Sequence, residues 1–104
     1  MNEYPYELFG QRCQLARTTY SNNNRLALLV RFEEDISGYD DIVVSVNLVD
    51  EPCSEHNAYI DTNNCPWAEK FLLDNHIGEP VGIGFSGFCI YPCYKIDLSK
   101  VVRC

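Results

Sequence analysis

The chain has 104 residues, 46% of them hydrophobic, and eight Lys and Arg stand against fifteen Asp and Glu for a formal net charge of −7. That length suits one domain with one modest core, and an aromatic share of 12%, with seven Tyr, excludes a disordered composition. The negative balance excludes nucleic-acid binding by phosphate neutralisation and fits a basic protein partner.

The opening MNEYPYELFG carries two Glu and no Lys or Arg, the reverse of a secretory leader. The longest aliphatic run, Leu26 to Val30, falls far short of the roughly 20 residues that span a membrane. A cytoplasmic protein with no membrane partner is expected. In a reducing compartment the six cysteines read as free thiols or metal ligands.

The first ten residues are turn-rich and lead into a strand, RCQLARTTY (Arg12 to Tyr20). Ser21 to Asn24, SNNN, predicts a tight turn, because Asn tolerates positive φ and hydrogen-bonds its own backbone. RLALLVRF (Arg25 to Phe32) is then the return strand of a hairpin. EEDISGYDD, Glu33 to Asp41, reads as an acidic loop with five carboxylates in nine residues. The β-branched IVVSVNLV (Ile42 to Val49) predicts a strand, DEPCSEHN (Asp50 to Asn57) a polar loop, and AYIDT a short strand.

The one helix expected runs over about Cys65 to Asn75. Asn63 or Asn64 would cap it, Pro66 suits its first turn, and Glu69 faces the positive end of its dipole. Ala68, Phe71 and Leu72 share one face, His76 suits the capping of the last carbonyls, and Gly78 is placed as its left-handed stop. VGIGFSGFCIY and YKIDL return to strand. Together these elements predict an α+β fold: a twisted, mainly antiparallel sheet of about five to six strands with one helix packed on one face.

Gly82, Gly84 and Gly87 spell G-x-G-x-x-G, the pattern of a dinucleotide-binding loop. That fingerprint requires a helix after the third glycine to receive the pyrophosphate. FCIYPC, β-branched, aromatic and interrupted by Pro92, starts no helix. The glycines therefore read as bulges or points of close backbone approach within strands.

Cys53 with His56, and Cys89 with Cys93, have chelate-like spacings, and the four together make a Cys₃His set suited to one structural zinc. The competing expectation, no cofactor and reduced thiols, follows from the frequency of buried, unliganded cysteine. Cys65 and His76 supply a formal Cys–His pair, but on one helix their 11-residue separation spans roughly 16 Å. The recognised nucleophile, zinc-protease and P-loop motifs are absent from the sequence, and a non-enzyme is expected. The acidic loop residues Glu33, Glu34, Asp35, Asp40 and Asp41 are the candidate partner-binding surface, the bland alternative being a solvated hairpin end that protects sheet edges.

The stretches VNL (Val46 to Leu48), AYIDTNNCPWAEKFLLDN (Ala58 to Asn75) and SGFCIYPCYKIDL (Ser86 to Leu98) resemble a family of small acidic proteins carried by phages, plasmids and conjugative elements of Gram-positive and gut bacteria. Some members look like anti-CRISPR proteins. The resemblance implies an anti-defence protein, in the cytoplasm of a bacterial host, that inhibits a type II RNA-guided effector nuclease by stoichiometric binding. Such a nuclease holds its heteroduplex with Lys and Arg, for which an acidic surface competes. The alternatives are a non-enzymatic accessory protein of a mobile element and a small metal-dependent enzyme. The resemblance carries over no catalytic residue.

Overall fold

The Asn-rich turn organises the first sheet. In the computed structural model, which describes residues 3–34 and 41–103, β1 (Tyr6–Leu8) pairs antiparallel with the start of β2 (Gln11–Thr19). β3 (Leu26–Phe32) returns along β2 in a register running from Cys13↔Phe32 to Thr19↔Leu26. Asn24 holds φ 58° and donates its N–H to Tyr20 O at 2.8 Å, the left-handed geometry for which Asn was read as suited.

The expected strand over residues 42–49 divides between two sheets. β4 (Ile42–Val43) pairs with β3, whereas β5 (Ser45–Val46) pairs with β6 (Asn57–Ile60). Val44 is the hinge: its N–H reaches Leu28 O at 2.9 Å in the first sheet, and its carbonyl accepts Asp61 N–H at 2.8 Å from the second. Its side chain is 2% exposed in the core between them. A β-branched run signals extended backbone but not which neighbours its two edges find.

α1 (Ala68–Asp74) buries Ala68, Phe71 and Leu72, as the helical spacing predicted. It is shorter than the expected Cys65–Asn75. Asn63 and Asn64 do not cap it; Trp67 is the N-cap residue, without a side-chain hydrogen bond. The preceding residues form a turn instead, in which the Asp61 carbonyl accepts Cys65 N–H at 2.8 Å and the Asp61 carboxylate accepts Asn64 Nδ2 at 2.8 Å. The left-handed residue at the helix end is His76, φ 55°, and not Gly78. Its backbone rather than its imidazole caps the end: His76 N–H reaches Leu73 O at 3.2 Å, followed by Ile77 N–H to Leu72 O at 2.9 Å.

β7 (Gly78–Ser86) and β8 (Cys89–Ile96) form an antiparallel hairpin turning at Gly87, φ 59°, and Phe88. The second sheet runs β5-β6-β8-β7. β9 (Val102–Arg103) joins the first sheet parallel to β2, a pairing with no local sequence signal. The α+β class holds, with nine described strands in two sheets where a single sheet of about five to six was expected. The main core lies between the sheets and under α1, with Leu15, Leu28, Ile60, Ile77, Leu72 and Tyr94 each at most 1% exposed. The Tyr94 hydroxyl is satisfied there by Glu69 Oε1 at 2.8 Å.

Candidate functional site

The glycine-rich hairpin has two dissimilar faces. Gly84 faces inward, where a Cβ would stand 2.5 Å from Tyr59 Cε1 and 3.0 Å from Leu48 Cδ1. Only glycine lets β7 approach that ring, so Gly84 is a point of close backbone approach, as expected, whereas Gly87 makes the turn between the strands. A bulge between Pro80 and Gly82 marks the start of the outer half of the strand. On the opposite face Ile83 pairs with Pro92 and Phe85 with Ile90. Ile83, Phe85 and Ile90 are 58%, 54% and 56% exposed, and Phe88 at the turn is fully exposed. Farther along the same face Tyr94 and Ile96 are covered by the core. The apolar face thus continues past the part of the sheet that the rest of the chain covers.

β7 is also an edge strand. Phe85 directs its N–H away from β8, where Glu51 Oε2 accepts it at 3.3 Å. Alternation gives Ile83 the same outward backbone direction. Its cross-strand partner Pro92 has no N–H to offer, which suits a non-hydrogen-bonded pair. Between Pro80 and Ser86 this edge bears no charged side chain.

The acidic loop is only partly described. Asp35 and Asp40 lie outside the described residues. Asp41 pairs with Arg31, Oδ2 to Nε at 2.9 Å, and Glu33 stands 3.9 Å from Arg12 Nε. Glu34 is exposed. The chain's own arginines therefore neutralise part of the charge that the loop offers.

Of the four candidate metal ligands the fold brings two together. Cys53 and Cys93 share a small cluster with Leu48, Tyr59 and Tyr91, and the Cys53 thiol donates to Asn57 O at 3.2 Å. Burial, then the neighbouring Cys53, pushes the Cys93 thiol up to about 11. Cys89 lies four residues up β8, roughly 13 Å from Cys93 along the strand. The His56 carbonyl accepts Ile96 N–H at 2.9 Å, at the other end of β8, which puts His56 roughly 23 Å along the strand from Cys89. Among the described residues no group of three or more His, Cys, Asp or Glu gathers around a common point.

His56 and His76 instead line a groove of about 640 Å³ with Leu73, Lys95, Asp97 and Ser99. Asp97 spends its carboxylate on the Ser99 hydroxyl at 2.6 Å and Ser99 N–H at 3.1 Å, which hold its pKa below the ordinary value. Cys65 lies before the helix, not on it, buried with its thiol toward Val43 O at 3.7 Å. Burial first, and Asp61 second, raise its pKa, so little nucleophilic thiolate forms there.

A family match spans residues 14–104, a domain of unknown function, DUF4313. The chain belongs to the DUF4313 family. The match takes in β3 to β9, α1 and the last two thirds of β2, so most of both sheets and the exposed hairpin are part of the DUF4313 domain. No curated protein and no solved structure matches the chain. No described helix of this DUF4313 protein is long and apolar enough to cross a membrane. Sequence reasoning placed the candidate surface on the acidic loop and overlooked the hairpin. The signal was present in VGIGFS: apolar residues at every second position with glycine or serine between them.

Proposed function

We propose that this DUF4313 protein is a non-enzymatic binding module whose partner is another protein, and that it docks through the outer face of the β7–β8 hairpin. The observation that carries this reading is the run of Ile83, Phe85, Ile90 and Phe88, all more than half exposed on one hairpin. Exposed apolar side chains cost solubility, and a contiguous patch of them marks an interaction surface. The net charge of −7 favours a basic partner by speeding encounter.

The narrower reading is an anti-defence protein of a mobile element that inhibits a type II RNA-guided nuclease stoichiometrically. It rests on the resemblance of the sequence and on the acidic balance. Plasmid cleavage by purified type II nucleases, with the protein in large molar excess, tests it. Inhibition that Phe88→Ser weakens supports both levels of the reading. Charge reversal at Glu33, Glu34 and Asp41 should slow association only, with the effect shrinking at high salt. Cleavage unaffected across several such nucleases removes the nuclease reading and favours an accessory module of the element.

A further inference from the structure

The exposed hairpin offers two different things to a partner, a face of side chains and an edge of backbone. Ile83 and Phe85 turn their backbone groups outward from the last strand of the sheet. An edge of this kind normally carries lysine, proline or a cover that blocks pairing. Here Pro80 lies before the bulge, and among the described residues the uncharged stretch after it is guarded at one point, where Glu51 holds Phe85 N–H.

We propose that β7 is a docking edge to which an extended segment of the partner adds as a further strand, with a Lys or Arg of that segment meeting Glu51. This rests on the protein-binding reading above and names its mode and chemistry. Ile83 supplies an outward N–H and C=O, Phe85 supplies its outward C=O, and small apolar side chains of the incoming strand extend the row formed by Ile83, Phe85 and Ile90. The Glu51 carboxylate sits on the edge at 3.3 Å from Phe85 N, where a cationic side chain entering beside it finds an acceptor.

Charge decides against a second copy of this chain as the occupant. Each copy in a pairing of two β7 edges would bring its own Glu51 carboxylate to the shared seam. These like charges, on molecules each carrying −7, disfavour self-pairing. A partner segment with basic residues replaces the repulsion by attraction.

The test uses the full chain and a capped heptapeptide of alternating Thr and Val with Lys at both ends. Its controls are the same peptide with alternate amides N-methylated and a version ending in Glu. Amide shifts in the protein's NMR spectrum, followed during titration, should saturate and centre on Ile83, Phe85 and Glu51. The N-methylated peptide should fail to bind, because its pairing edge is blocked. Glu51→Lys should reverse the preference between Lys-ended and Glu-ended peptides, and Glu51→Gln should abolish it. Each change corresponds to roughly fivefold in affinity, the scale of an exposed ion pair. Equal binding of the N-methylated peptide overturns the edge and leaves hairpin-face docking standing. No saturable shift, or a preference unchanged in both Glu51 variants, also overturns it. A nuclease unaffected by the protein has no bearing on these readings.

Discussion

Ser45 Oγ accepts the Leu28 backbone N–H at 3.0 Å in the buried seam where the chain passes from the first sheet to the second. Ser45 is 5% exposed, and its hydroxyl also lies 2.7 Å from Tyr20 Oη. Leu28 thus gives its carbonyl to Val44 and its N–H to the next side chain, and the sheets separate without leaving a buried orphan. Ser45→Ala should cost about 1–3 kcal/mol, the penalty for an unsatisfied buried donor. Urea unfolding measures it, and a change below a few tenths would mean that the seam does not depend on this hydroxyl.

Gly84 and Gly82 should respond differently to the same substitution. Gly84→Ala puts a methyl 2.5 Å from the Tyr59 ring, whereas a Cβ at Gly82 meets nothing within 4 Å. Tyr59 is 4% exposed and holds Pro52 O through its hydroxyl, so the ring cannot swing aside freely. Gly84→Ala is expected to destabilise by about 1–3 kcal/mol, as overpacking does, and Gly82→Ala to stay within about 0.5 kcal/mol of wild type. Thermal melts of the two variants side by side check this.

Stability should fall on the alkaline side. Burial raises the Cys13 and Cys93 thiols from an ordinary 9.0 to about 11. Burial and then Glu69 raise the Tyr94 phenol from 10.0 to about 12. Above the ordinary values the unfolded chain releases these protons while the folded chain keeps them, so the folded state is progressively disfavoured. The free energy of unfolding should be level up to about pH 9, decline between about 9 and 11 from the thiols, and decline further to about 12 from Tyr94. Tyr94→Phe should flatten the last segment; a slope unchanged in that variant would remove Tyr94 from the account.

The thiols should label in an order set by burial. Cys89 is half-buried, while Cys13, Cys65 and Cys93 are at most 6% exposed. With iodoacetamide on the native reduced protein, Cys89 should react within minutes. Cys13 and Cys93 should react only after denaturant is added, since both access and thiolate are withheld. Peptide mapping by mass spectrometry reads this directly, and fast native labelling of Cys13 would contradict the packing of β2.

The elements that local chemistry specifies were legible in the sequence. The SNNN turn with its flanking strands and the buried face of α1 follow from side chains acting on their own stretch of backbone. What the tertiary structure decided was partnership. That Val44 divides one β-branched run between two sheets, that β9 returns beside β2, and that Cys53 meets Cys93 while Cys89 and His56 go to opposite ends of β8 depend on pairings between distant segments. A strand pattern states that backbone hydrogen bonds must be met, without stating by whom. The edge of β7 has the same origin: its apolar alternation is local, but its exposure exists because the second sheet ends there.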